Sequence, residues 1–305
     1  MEINSGMCHK NKAVFIMGAT GTGKSRLSIE LATRFPAEII NADKIQVYKG
    51  LDIVTNKVSE QERRGVPHHL LGDVDPDSDF TARDFCLRTL FAMDTITSSS
   101  RIPIIVGGSN NYIEALVESP QYRFKAKYQP CFIWLDVSVP VLHAHVSKRV
   151  DQMVAAGLLE EVREIFVPGA DYDRGIRRAI GVPEMDPYLR AESAAAGAEE
   201  DKKRKEALLR SGIEAIKANT CELTCCQMGK IQRLRNEVGW AMHRIDATRV
   251  FEESGKEVDQ VWEKAVKKHS LKIVGDFLKI DALETKFWRL NDRAVARNSA
   301  LLIDQ

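Results

Sequence analysis

Five short apolar runs punctuate the first half of the chain: AVFIM (13–17), AEIINA (37–42), HHLLGDV (68–74), RIPIIVGG (101–108) and PCFIWLDV (130–137). Each is apolar at consecutive rather than alternate positions. A strand with apolar side chains on both faces needs cover on both, the condition of a parallel sheet sandwiched by helices. The segments between them, KSRLSIELATRF, FTARDFCLRTLFAMDTIT and NNYIEALVE, have helix-like apolar spacing and helix-forming residues. Strand and helix therefore alternate over about the first 140 residues, which predicts a doubly wound α/β unit.

From about residue 139 to 240 the strand signal disappears. VPVLHAHVSKRVDQMVAAGLLEEVREIF reads as helical, and so does AESAAAGAEEDKKRKEALLRSGIEAIKANT after an opening Ala/Gly/Glu tract. A strand-like run returns at MHRIDATRVFEES (242–254), followed by a helix with an apolar stripe over 258–278. We therefore expect an α/β core from 12–145 plus 240–280, and a helical insertion over the strand ends from 146–239. The tail, 281–305, reads equally as a docked helix or a frayed end.

Composition narrows the class. The 305 residues are 44% hydrophobic and 29% charged, with a formal net charge of +1. These are the proportions of a globular chain with a core, not of a polycation built for nucleic-acid backbones. The six cysteines are scattered, and CELTCC lacks the paired spacing of a zinc site. No apolar run reaches the ~20 residues of a membrane span. MEINSGMCHKNK is short and poor in Arg for a transit peptide, so none is legible here and a plastid or cytoplasmic setting stays open.

The chemistry begins at GATGTGKS, which fits G-x-x-x-x-G-K-[ST] at Gly18, Gly23, Lys24 and Ser25, with a predicted strand before and a helix after. Glycines let backbone N–H groups wrap phosphate oxygens, the helix adds its positive end, Lys24 adds a full charge, and the Ser25 hydroxyl can hold Mg2+. Asp43, just past the second strand, projects at the same sheet edge, where open α/β sheets bind ligands. From spacing alone it is a Mg2+ ligand, a general base or a helix N-cap. GGSNNYIEAL (107–116) brings a glycine pair, Ser109 and Asn110 to that edge, or simply makes a tight turn. DVDPDSDF carries alternate aspartates but Ser78 where a calcium loop needs Gly, so it reads as a polar loop capping the next helix. Residues 202–244 hold ten Lys or Arg against four Glu, with Lys203, Arg210 and Lys217 on one helical face, suited to a solvated surface or to a second anionic substrate.

Taken together, GATGTGKS, NADKIQVYKGLDIVTNK, HHL, GGSNNYIEAL, RVDQM and RRAIGVPE resemble the isopentenyltransferases, over about residues 12 to 250. Lys44, the TNK variant and IQRLRNEVGWAMHRIDAT are similar to the plant adenylate type that makes cytokinins, rather than to the branch that modifies tRNA. The resemblance implies a P-loop NTPase-like parallel sheet flanked by helices, and transfer of a dimethylallyl group from dimethylallyl diphosphate to AMP, ADP or ATP. It implies Gly18, Thr20, Gly21, Thr22, Gly23, Lys24, Ser25 and Arg149 around the donor diphosphate, with Mg2+ on Ser25. Asp43, Thr20 and Arg149 fall on catalytic positions, Asp43 as the base. For the acceptor we expect Asp43 and Lys44, with Lys202, Arg210 and Lys217 on its phosphates and Lys230 and Arg233 behind them. The expected protein is a monomer that binds neither membrane nor nucleic acid. A tRNA dimethylallyltransferase and a small-molecule kinase are the alternatives.

Overall fold

The computed structural model describes residues 10–194, 199–255 and 257–278, so the tail at 281–305 lies outside the described residues. Its strands are β1 (Asn11–Met17), β2 (Ala37–Asn41), β3 (His68–His69), β4 (Ile102–Gly107), β5 (Tyr128–Asp136) and β6 (Met242–Asp246). They form one sheet in the order β3-β2-β4-β1-β5-β6, with every pair parallel. The helices, in chain order, are α1 (Lys24–Ala32), α2 (Glu60–Arg63), α3 (Ala82–Ser98), α4 (Asn110–Glu118), α5 (Phe124–Lys127) and α6 (Val139–Ala155). They continue as α7 (Leu158–Glu164), α8 (Val182–Ser193), α9 (Glu199–Asn236), α10 (Thr248–Glu252), α11 (Glu257–Trp262) and α12 (Lys268–Leu278).

The consecutive apolar runs have a simple origin. Along β1, Ala13, Phe15 and Met17 enter the core under α3, α4 and α9, while Val14 and Ile16 enter the opposite core under α1, α6 and α12. A pleated strand sends successive side chains to opposite faces, so two covered faces demand an unbroken run. Burying a side chain such as Phe15, which has no exposed surface, contributes about 1.5–3 kcal/mol. β1 lies between β4 and β5, the point at which the chain reverses its direction of travel across the sheet. Loops at the carboxyl ends of strands beside such a switch converge on one crevice.

The helices α6 to α9 occupy the stretch between β5 and β6, as the vanishing strand signal indicated. Three local expectations change. The third strand shrinks to His68–His69, because Leu70 (φ 59°) and Gly72 (φ 73°) take left-handed conformations that turn the chain out of the ladder. Only Val74 returns, as an isolated bridge to Tyr48. The last strand ends at Asp246, whose carboxylate accepts the Thr248 N–H at 2.9 Å at the start of α10. The final helix is divided into α11 and α12 by a π turn at Glu263–Lys267. The aspartate loop behaves as read: Asp84 and Thr81 form a capping box on α3, and Asp77 and Asp79 pair with Arg177 and Arg174.

Candidate active site

The phosphate loop leaves β1 at Met17 and enters α1 at Lys24 through Gly23, whose φ of 84° belongs to the left-handed region. Among the described residues no side chain caps the start of α1, which leaves its first N–H groups suited to an anion. Glycine is needed at 23 for a second reason: a Cβ there would stand 2.7 Å from the ring of Trp262. That buried indole donates to Glu30 Oε2 at 2.7 Å and carries the Arg26 guanidinium over its face. The C-terminal helices thus brace the loop from below.

Within the loop, Lys24 Nζ donates to Ala19 O at 2.7 Å, and the Thr22 hydroxyl donates to the same carbonyl at 2.9 Å. Burial pulls the Lys24 ammonium down to about 8, with Asp43 opposing the shift and Arg149 adding to it. Arg149 reaches in from α6 and donates from Nη2 to Thr20 Oγ1 at 3.0 Å. Burial lowers its pKa too, and its Nε is buried without a partner among the described residues. Two cations held close together, with the Asp43 carboxylate as the one anion acting on Lys24 among the described residues, describe a site suited to an anionic ligand.

Asp43 sits just beyond β2 and uses its two oxygens differently. Oδ1 accepts the N–H groups of Ile45 at 2.9 Å and Gln46 at 3.3 Å, closing the turn. Oδ2 has no hydrogen-bond partner among the described residues. Capping and chemistry, opposed readings in the sequence, are therefore compatible on one side chain. The neighbouring strand fixes the position: Ser109 N donates to Ala42 O at 3.1 Å, and Lys44 N donates to Ser109 Oγ at 2.9 Å. A Cβ at Gly107 would lie 2.2 Å from Ala42 O, so the glycine pair permits this approach.

The long QVYKGLDIVTNK motif builds a bracket around the same edge. Gln46 Nε2 donates to Thr55 O at 3.0 Å, and the Glu161 carboxylate on α7 accepts the N–H groups of Ile53 and Val54, each at 2.9 Å. Lys57 returns to Gly50 O and to Asp52.

These parts open on one cavity of about 400 Å3. Thr20 and Arg149 stand at its phosphate-loop end and Asp43 in its wall. Val54, Val150, Met153, Ile216 and Leu223 give an apolar lining, and Lys44, Arg178 and Lys230 supply cations. The acceptor cations expected from the sequence are arranged otherwise. Lys202, Arg210 and Lys217 are not among the residues lining the cavity. Lys202 and Arg210 are exposed, and Lys217 is held by Asp151 at 2.8 Å and Glu214 at 3.0 Å. The reason is length: α9 runs for 38 residues, and the lining begins only at Ile216. Of the two cations expected behind them, Lys230 lines the cavity while Arg233 pairs with Glu114.

Arg178 and Gln227 are the residues that sequence reasoning passed over. Arg178 lies in RRAIGVPE and donates to the Tyr48 hydroxyl at 3.2 Å. Gln227 was traceable from Ile216, Thr220, Leu223, Gln227 and Lys230, which recur every three or four positions and face the cavity. Ser25 is exposed and lines a neighbouring depression with Arg26 and Lys57 rather than the main cavity; Asn56 borders both. Among the described residues no group of three or more His, Cys, Asp or Glu could hold a metal ion.

Comparison with known proteins now supplies the family. A family model described as "IPP transferase" matches residues 46–126 and 117–229. The chain belongs to the IPP transferase family. Within that family it is 58% identical over 271 residues to the chloroplastic adenylate isopentenyltransferase 5 of Arabidopsis thaliana, covering 88% of this chain and 81% of the relative. It is 51% identical over 279 residues to the mitochondrial adenylate isopentenyltransferase 7 of the same plant, covering 91% and 83%. The adenylate isopentenyltransferase of Humulus lupulus is 43% identical over 297 residues, covering 86% and 89%. The resemblance read from the motifs is thus borne out. Among solved structures, a eukaryotic dimethylallyltransferase acting on tRNA superposes with a TM-score of 0.71 at 24% identity, over 88% of this chain and 80% of that one. The tRNA isopentenylpyrophosphate transferase of Bacillus halodurans gives 0.65 at 24% identity, over 89% and 99%. Both share the α/β fold. No helix among the described residues is long and apolar enough to cross a membrane.

Proposed function

We propose that this protein transfers the dimethylallyl group of dimethylallyl diphosphate to the exocyclic N6 amine of AMP, ADP or ATP, releasing diphosphate, as a step of cytokinin synthesis. The observation that carries the reading is the shared cavity. Thr20 of the phosphate loop, Arg149 and a carboxylate with an open oxygen, Asp43 Oδ2, face one space bounded by apolar residues, and Lys24 lies in the same loop within electrostatic reach of Asp43 and Arg149. The adenylate isopentenyltransferases, 58% and 51% identical, support a free nucleotide as acceptor over tRNA.

The chemistry follows from that arrangement. An adenine amine is a weak nucleophile, because its lone pair is delocalised into the ring. Asp43 Oδ2 accepts one of its N–H bonds, orients the nitrogen toward the allylic carbon, and takes the proton as the C–N bond forms. The carbon–oxygen bond to the diphosphate breaks, and its electron pair passes to oxygens facing Lys24, Arg149, the Thr20 hydroxyl and the open N–H groups of α1. The apolar residues at Val54, Val150, Met153 and Leu223 keep water from the allylic centre. For the acceptor phosphates, Lys230, Arg178 and Lys44 replace Lys202, Arg210 and Lys217 in this reading, because they line the cavity.

Mg2+ is a hard ion usually bound through one or two protein oxygens plus substrate phosphates, and the exposed Ser25 hydroxyl is the protein oxygen this reading offers it. The Ser25 hydroxyl at the start of α1 would hold it together with diphosphate oxygens, and the bound ion would neutralise charge on the leaving group. The chloroplastic and mitochondrial relatives support an organellar setting, of which we favour the plastid.

The test is incubation of the protein with Mg2+, dimethylallyl diphosphate and each of AMP, ADP and ATP, with mass spectrometry for a nucleotide gaining one prenyl unit. Absence of product from all three, or faster turnover on tRNA, would overturn the reading.

A further inference from the structure

Gln227 lies on α9, is buried, and joins the two loops that carry the chemistry. Its Oε1 accepts the Thr20 N–H at 2.7 Å, and its Nε2 donates to Gly108 O at 3.2 Å. The amide orientation is fixed by its partners, since an N–H can only donate and a carbonyl can only accept. Its own backbone carbonyl accepts from Asn110 Nδ2 at 3.1 Å. Beyond Gly108 the connection continues: Ser109 N bonds Ala42 O, and Ser109 Oγ accepts from Lys44 N, on either side of Asp43. Beyond Thr20 it continues through the hydroxyl to Arg149. One side chain thus stands between the loop that would hold the leaving group and the β4 end that braces Ala42 and Lys44 on either side of the base.

We infer that Gln227 is a positioning residue that sets the distance between the donor loop and Asp43; the inference rests on the proposed transfer reaction. The glutamine touches neither reacting atom in this role. Its two hydrogen bonds hold Thr20 and Gly108 at a fixed span, so the allylic carbon and the adenine nitrogen meet in line. The packing leaves no slack: a Cβ at Gly108 would come within 2.3 Å of Gln227 Nε2. Binding of either substrate depends mainly on groups that survive the loss of this amide, namely Lys24 and Arg149 for the donor and the apolar wall and cations for the acceptor. A misplacement of about 1 Å between reactants costs on the order of 100-fold in rate.

The test is Gln227→Met, which keeps the length of the side chain and removes both hydrogen bonds. We expect kcat to fall by about 10- to 100-fold while the KM values for donor and nucleotide change by less than about threefold. Gln227→Glu keeps an acceptor for Thr20 but loses the donor to Gly108, and should fall between Gln227→Met and wild type. An unchanged kcat, or a loss confined to KM, would overturn the inference. Should Gln227→Met fail to fold, Gly108→Ala displaces the same amide and is read by the same split. Hydrogen exchange at the Thr20 amide gives a readout independent of turnover. It should quicken in Gln227→Met without donor or acceptor, and unchanged protection would overturn the inference even if the transfer assay succeeds. Wild type without transferase activity but with this protection lost in the variant would instead overturn the reaction assignment alone.

Discussion

Lys24 makes donor binding depend on pH in a way that can be worked through. Its ammonium is lowered from 10.5 to about 8 in the ligand-free protein. A diphosphate placed against it restores the charged form, so only the protonated fraction of the free protein is competent to bind. With a pKa of about 8, that fraction falls from about nine-tenths at pH 7 to about one-tenth at pH 9. The apparent dissociation constant is the intrinsic one divided by this fraction, so it rises about tenfold. A phosphate ester has its second pKa near 6, so the donor's charge changes little over the same interval. The assay is calorimetric titration of dimethylallyl diphosphate with Mg2+ and no nucleotide, at pH 7, 8 and 9. Lys24→Arg keeps a charge that does not titrate there and should flatten the curve, whatever its absolute affinity. A wild-type affinity independent of pH, or the same tenfold decline in Lys24→Arg, would refute the argument. Stability carries the opposite sign. Between about 8 and 10.5 the unfolded chain binds more protons at this lysine, so its burial cost is full below 8 and is relieved as pH rises. The cost amounts to up to about 3 kcal/mol at 1.36 kcal/mol per pH unit. Lys24→Met should therefore raise the urea midpoint of the ligand-free protein while abolishing donor binding.

Three further outcomes are expected. Asp43→Asn retains an oxygen for the Ile45 and Gln46 N–H groups but cannot take a proton. Single-turnover rates should fall by about 100- to 10,000-fold, with donor affinity and melting temperature close to wild type. Arg178→Gln or Lys230→Gln should raise the KM for ATP by about tenfold, the loss of a charged hydrogen bond of about 1.5 kcal/mol, whereas Lys217→Gln should leave it unchanged; steady-state kinetics decide. Gly23→Ala combines an unfavourable φ with a Cβ only 2.7 Å from Trp262 and should cost more than about 1 kcal/mol in denaturant unfolding.

The fold was legible because its strands are covered on both faces. AVFIM and PCFIWLDV read as buried strands without any tertiary information, and the loss of that pattern after Asp136 marked the helical stretch. The phosphate loop was equally legible, since glycine spacing and Lys24 encode a local geometry. Arg178, Gln227 and Lys230 were harder, because their relation to Asp43 is made by packing across more than a hundred residues of chain. A count of charges along α9 favoured its N-terminal half, but the cavity lining begins only at Ile216 and Lys217 is neutralised by Asp151. His68–His69 shows the converse limit: β-like composition continued through Leu70 and Leu71, but a left-handed backbone ended the strand.

The insertion of α6 to α9 between β5 and β6 separates two kinds of heredity within the molecule. Lys24 and Asp43 are written in the first quarter of the chain, whereas Arg178, Leu223 and Lys230 are written in one contiguous later segment. In the proposed reading, the part of the acceptor wall carried by residues 178–236 can change without rewriting the base or the lysine of the phosphate loop, while Lys44 and Val54 stay with the base. Gln227 lies in that later segment, so a change there carries along the side chain that ties it to Thr20 and Gly108 in the first half of the chain.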